Sequence, residues 1–486
     1  MTQEKVDKIK DSISRFYEEL NYEIYLNYAG FKDTLNTSSI YEKYSFLMNK
    51  ELALKIKNKD RGLNYISSFI QEMYINNKVS KIKDKIATLE ANSFIEHDGK
   101  KINYRMIPVI IANESRREFR KQIYEKGIKC FYPINKYYIK LWKTMHDISK
   151  ELGYRNYLEY CSFVNLKDYE KLKKSALEFL AKTKSLYVDL MSENFKKMNL
   201  DFYNSERHDL AFLFRATKFD HIFSKERMLE LFNKFLDNFG LSLNNFPNII
   251  LDIEFREKKV TRAFVSPVKI PDKIYLVITP KGGQDDYLAL FHEAGHAFHF
   301  ANISKDLSVE YKYLGPSSVT EAFAFLFEYL LIEKEFLKKY LDLNFEYLKF
   351  QYLYKLYFLR RYCSKLIYEI ELNTKGIDMK SGFLYKNIME QNMITKHRRV
   401  NYLNDIDPGM YTAEYLEAWF FESQLKRYLK DKYGEDWFVK KEARDFLIKI
   451  WNQGFKYTLE EISRELGYKG IEVNYVYEEI LEGLGY

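Results

Sequence analysis

The stretch KIYLVITPKGGQDDYLALFHEAGHAFHFANI, residues 273–303, decides the fold. Its first part, KIYLVITP (273–280), is rich in β-branched and aromatic residues and closes on Pro280, which predicts a strand. Gly282 and Gly283 then turn the chain. Asp285 or Asp286 suits the first turn of a following helix, where a carboxylate meets the positive end of the helix dipole. Inside that helix, His292-Glu293-Ala294-Gly295-His296 is an HExxH motif. Four residues of α-helix amount to about 400° of rotation, so His292 and His296 share a face and can reach one zinc ion. Glu293 is offset by about 100°, which aims it at a water beside the metal rather than at the metal. The bland reading is a buried helix with hydrogen-bonded histidines, but burying two His and a Glu on one stripe without a metal is costly.

Upstream, two more short runs, NIILDIEF (248–255) and KVTRAFVSP (259–267), complete an expected small antiparallel sheet. From residue 3 to about 245 the apolar residues recur at helical spacing, with breaks expected near Asn36–Ser39, His97–Lys101, Pro133 and Gly153. From Ser318 onward the pattern is helical again. The chain therefore reads as mainly α, with one small sheet directly before the most chemically loaded helix. Residues 1–245 form an N-terminal helical region and 246–486 the region that carries the motif.

A zinc site needs a third protein ligand and an open position. The metzincin spacing falls on Asn302 and the thermolysin-like spacing on Pro316, and neither can serve. Glu321, in GPSSVTEAFAFLFEYL, is a candidate with a structural rival: Ser318-x-x-Glu321 is also a capping box, in which the Glu only returns a hydrogen bond to the helix start. Spacing alone leaves both open. Glu328, two turns on, is a reserve ligand or a partner for a ligand histidine. His299 reads as a core or supporting histidine.

The order sheet, Gly-Gly, LFHEAGHAFH, loop, GPSSVTE, with Glu321 29 residues after His292, resembles the thimet oligopeptidase and oligoendopeptidase F family of zinc peptidases. The likeness extends through ELGYRNYLEY (151–160), RHDLAFLF (207–214) and Ala263-Phe264. It implies a two-lobed helical zincin fold with a deep central cleft that admits short peptides, one Zn²⁺, and Glu321 as third ligand. It also implies that the strand before the metal helix, KIYLVIT, pairs with the substrate backbone. The family's Gly-Tyr-x-Ala-x-Tyr segment matches Gly409–Tyr415, so the resemblance makes Tyr411 and Tyr415 candidates to stabilise an oxyanion. A later family tyrosine falls on Ala418, a family His on Ile406, and the Pro-Ser-Gln after the ligand Glu is replaced by phenylalanine-rich sequence.

The expected activity is hydrolysis of peptide bonds in short peptides, with Glu293 as general base. A carboxypeptidase or dipeptidyl carboxypeptidase on the same site is the alternative. Lys396, Arg398 and Arg399 are then candidates to hold a terminal carboxylate. A non-catalytic peptide binder is the rival from another class. The net charge of +8, from 77 basic and 69 acidic residues, is spread along the chain, which predicts no specific nucleic-acid partner. No run is apolar enough for a membrane span. Cys130, Cys161 and Cys363 lack metal-ligand spacing and read as free thiols, and with a charged N-terminus they make the cytoplasm the expected location. Oligomeric state is not legible.

Overall fold

The computed structural model describes residues 3–57, 60–342 and 344–486, and the fold is mostly helical with two small sheets. Helix Gln3–Tyr28 buries Val6, Ile9, Ile13 and Phe16, the three- and four-residue spacing of a single apolar stripe. Asp60 caps helix Arg61–Ala91 by accepting the Leu63 N–H, and Ser224 caps helix Lys225–Phe239, which stops at Gly240 in the left-handed region. Two expected features change. The break at His97–Lys101 is a hairpin, β1 (Phe94–His97) and β2 (Lys100–Asn103), turned at Asp98-Gly99 with both φ positive, the geometry a two-residue Asp-Gly turn supplies. At Pro133 the helix does not break: it runs Arg117–Glu151. Pro133 and Lys129, whose carbonyl loses its partner, both lie on the solvent face, where water replaces the missing bond.

The second sheet contains β3 (Ile249–Asp252), β4 (Phe264–Lys269) and β5 (Lys273–Val277) in the order β3-β5-β4. It is mixed rather than antiparallel, because β3 pairs parallel with β5 while β4 pairs antiparallel with it. This corrects the expected sheet and the strand expected to meet substrate. KIYLVIT lies in the centre with both sides paired, and β4 is the edge next to the metal helix. Part of that edge is covered: Asn21 of the first helix donates to Pro267 O, and Ser266 Oγ donates to Asn21 O. The stretch Ala263–Val265 is left facing the site.

The HExxH helix spans Gln284–Ala301, the Glu321 helix Ser318–Glu328 and the tyrosine helix Tyr411–Tyr433. The first two nearly touch. A Cβ on Gly295 would sit 2.4 Å from Phe323 O and 2.6 Å from Ala324 Cα, so only glycine permits the backbone approach that brings Glu321 beneath the histidines. One continuous core, with buried members from Ile75 to Leu484, encloses all three helices, and a smaller core ties the first helix to helix Arg61–Ala91. The three cysteines are unpaired, with Cys161 and Cys363 buried. Among the described residues no helix is long and apolar enough to cross a membrane.

Candidate metal centre

His292, His296 and Glu321 come together, with one ligand atom from each within 4.8 Å of the others. Each histidine has its outer nitrogen engaged: His292 Nδ1 lies 2.7 Å from Glu328 Oε2 and His296 Nδ1 2.7 Å from Thr320 Oγ1. These contacts fix the ring planes and turn both Nε2 atoms towards Glu321 Oε2, at 3.5 and 3.7 Å. Donors held about 2.0–2.1 Å from a tetrahedral zinc lie about 3.3 Å apart, so this spacing suits three donors around a shared centre. Glu321 Oε2 is buried and has no hydrogen-bond partner, an expensive state for a carboxylate unless a cation completes it. Two imidazoles and a carboxylate therefore fit zinc.

The rival role for Glu321 is taken by other residues. Ser318 is the first helical residue rather than the cap, and its N–H donates to Glu414 Oε2 at 2.7 Å. Its hydroxyl donates to Glu417 Oε2, and buried Lys167 neutralises the two acids. With the helix start held from the tyrosine helix, the Glu321 carboxylate is free to face the histidines.

Electrostatics reinforce the geometry. Burial alone would depress His292, but the carboxylates of Glu321 and Glu328 outweigh it and lift the imidazole to about 10. His296, whose burial is only partly offset by Glu321, falls to about 4. Burial would raise Glu321, yet the facing histidines and Tyr411 hold it below its ordinary value. The cluster thus favours positive charge at its centre. Burial lifts Glu293 to about 7, and its Oε2 accepts the Val265 N–H of β4 at 2.9 Å. The carboxylate is thereby fixed between the metal helix and the free sheet edge.

The two tyrosines occupy different positions. The Tyr411 hydroxyl donates to Glu321 Oε1 at 2.8 Å, so it orients the candidate third ligand. Tyr415 packs edge-on to Tyr411, with ring centroids 5.0 Å apart, and its hydroxyl makes no hydrogen bond among the described residues. Gly409 and Met410, both at positive φ, set the bend from which this helix starts. The phenylalanine-rich sequence after Glu321 builds an aromatic wall: Phe325 meets His292 edge-on at 5.2 Å and stacks on Trp419 at 4.8 Å. His299 is fully buried against Phe323 and Phe455 and is a core histidine. Lys396, Arg398 and Arg399 lie apart from this cluster. Arg398 pairs with Glu206 at 2.9 Å, Arg399 covers the Phe383 ring, and the backbone of Lys396 bonds Ser205.

Sequence reasoning missed Arg262. It lines a 490 Å³ cavity beside the centre, with Asp285, Glu328, Tyr354 and Trp419 among the other walls. The only signal was a basic residue one position before Ala263-Phe264.

No protein-family model matches the chain, and no curated protein matches it. Among solved structures it is similar to a candidate oligoendopeptidase F from Bacillus anthracis str. Ames, with a TM-score of 0.61 and 16% identity over 99% of this chain and 85% of that one. That likeness is one of fold, and it extends over nearly the whole chain.

Proposed function

We propose that the chain is a zinc-dependent peptidase acting on short peptides. The observation that carries this is the convergence of His292 Nε2, His296 Nε2 and the unpartnered Glu321 Oε2 beside Glu293. The fold likeness to a candidate oligoendopeptidase supports the same reading. His292, His296 and Glu321 would hold the ion. Zinc there supplies Lewis acidity, polarising a carbonyl oxygen and acidifying water.

The remaining steps belong to the chain's own residues. Glu293, anchored through Oε2, keeps Oε1 to take a proton from the attacking water and pass it to the leaving amine. Its carboxyl, at about 7, lies where a group can both accept and return a proton near neutrality. The β4 edge from Ala263 to Val265, apart from the Val265 N–H that Glu293 occupies, pairs with the substrate backbone. Tyr415, kept protonated because burial and then Glu321 raise its phenol, donates to the oxyanion. Tyr411 holds Glu321 in place.

The test is Glu293→Gln. It is expected to keep the wild-type zinc content while abolishing cleavage of an internally quenched short peptide. Undiminished turnover in that variant would end the proposal.

A further inference from the structure

A separate cavity of 280 Å³ abuts the metal centre through Tyr411, and Tyr17, Tyr65, Phe69 and Tyr313 form much of its wall. Two acids line it, Glu72 and Glu414, and among the described residues no Lys, Arg or His does. Glu414 is engaged: Oε2 accepts the Ser318 N–H, and Oε1 lies 3.3 Å from Lys167 Nζ. Glu72 is not. It projects from helix Arg61–Ala91, is exposed into the cavity, and makes no hydrogen bond or ion pair among the described residues. Protein nevertheless surrounds it closely enough that burial, and after it Glu414, lift its carboxyl to about 7. Lys83, about three turns along the same helix, offsets this only in part and is bonded to Asn76 Oδ1 at 2.9 Å. An unpaired acid among aromatic rings is a receptor for a cation, which the carboxylate and the ring quadrupoles both attract.

The sheet connects this cavity to the substrate path. A peptide lying on the β4 edge beside Glu293 cannot follow the strand far towards Lys269, because Asn21 of the first helix takes the edge at Ser266 and Pro267. The peptide must leave the sheet there. Beyond β4 the Ile270 N–H donates to the Tyr313 hydroxyl at 3.0 Å, and Tyr313 is a wall of the cavity. Tyr17, one turn before Asn21 on the covering helix, is another, and the two rings stack with centroids 5.4 Å apart. The cavity therefore lies between the metal centre and the point where the peptide departs from β4. Its charge selects which end of the peptide enters. An acidic cavity repels a terminal carboxylate, so the N-terminal side goes in and the peptide runs antiparallel to β4.

Resting on the peptidase reading above, we propose that Glu72 receives a positively charged group on the N-terminal side of the cleaved bond, so that the enzyme prefers peptides carrying an ammonium group there. That group can be the amino terminus itself or a lysine side chain. The experiment uses the zinc-loaded full chain and three peptides of one sequence without other basic residues, with products read by mass spectrometry. The first has a free amino terminus, the second is N-acetylated, and the third is N-acetylated with one lysine placed in turn at each position before the cleaved bond. The wild type is expected to favour a charged peptide over the neutral one by about ten- to a hundred-fold in kcat/KM, mainly through KM, as a charge-assisted contact supplies. A preference for the free amine alone assigns the terminus, and a preference restored by lysine assigns the side chain. In Glu72→Gln, with zinc content as in the wild type, the ratio of charged to neutral should fall to about one through a rise in KM for the charged peptide. Glu72→Asp should regain part of the ratio. Equal cleavage of all three peptides by the wild type overturns the inference, needs no variant, and leaves the peptidase reading intact. A wild-type ratio that survives in Glu72→Gln also overturns it, as does a loss of equal size on charged and neutral peptides, which marks Glu72 as structural. No cleavage of any peptide by zinc-loaded wild type removes the peptidase reading, and this inference with it.

Discussion

Two buried carboxylates in this core, Asp405 and Glu321, are built to different ends. Asp405 uses both oxygens: Oδ1 accepts from Arg207 at 2.8 Å and from Arg361, and Oδ2 accepts from the Tyr385 hydroxyl at 2.5 Å. Burial would raise its carboxyl, but Arg207 and Arg361 outweigh that and hold it well below the usual range. Glu321 uses one oxygen, for Tyr411, and leaves the other facing two imidazole nitrogens. The Asp405 knot is electrostatically closed and fixes the segment leading into the tyrosine helix. The Glu321 cluster is open at its centre. The difference teaches which polar cluster serves folding and which serves a ligand: a closed network costs stability when broken, whereas an open one costs binding.

Replacing Glu321 by Gln should break the open cluster most severely. We expect loss of zinc and at least about a thousand-fold loss of turnover, the several kcal/mol a bound metal contributes. The metal-free variant should melt somewhat below metal-free wild type, because the facing histidines and Tyr411 hold the Glu321 carboxyl below its ordinary value and the amide loses that contribution. Calorimetry of metal-free protein checks this.

Asp405→Asn should do the opposite. It leaves the buried Arg361 and the half-buried Arg207 without their counter-charge and is expected to cost about 3–5 kcal/mol in denaturant unfolding, with zinc still binding the folded fraction. The pH dependence has a definite sign. A depressed carboxyl contributes its full stability above the unfolded value of about 3.9 and loses it as pH falls towards the folded value. Wild-type stability should therefore drop steeply below about pH 4, and the Asn variant should show a shallower drop from a lower plateau.

The tyrosines sharpen the comparison further. Tyr415→Phe is expected to lower kcat by about a hundred- to a thousand-fold with zinc affinity unchanged. Tyr411→Phe and Glu328→Gln should weaken zinc binding by about ten- to a hundred-fold, because each removes an orienting contact. Competition with a chelator separates the two outcomes.

The helix with His292, Glu293 and His296 was fully legible, because its information is local: a helical period and a motif within five residues. Glu321 was half legible. Its alternative role as a cap could be dismissed only by seeing Glu414, 93 residues later in the chain, take the Ser318 N–H. Sheet direction was not legible, since the parallel β3–β5 pairing depends on which strand inserts between two others. For the same reason KIYLVIT was read as the substrate strand, although it is the middle one. Pro133 was misread because a proline breaks a helix only where its lost hydrogen bond cannot be replaced by water. Arg262 carried no pattern at all. Its place on the cavity wall comes from the path of the loop before β4, which no local pattern states.

The most direct test of the central claim is the zinc content per chain of wild type, Glu293→Gln and Glu321→Gln after reconstitution and exhaustive dialysis. One ion is expected in the wild type, one in Glu293→Gln and none in Glu321→Gln. A wild type that retains no zinc, or a Glu321→Gln protein that retains as much as the wild type, would contradict it.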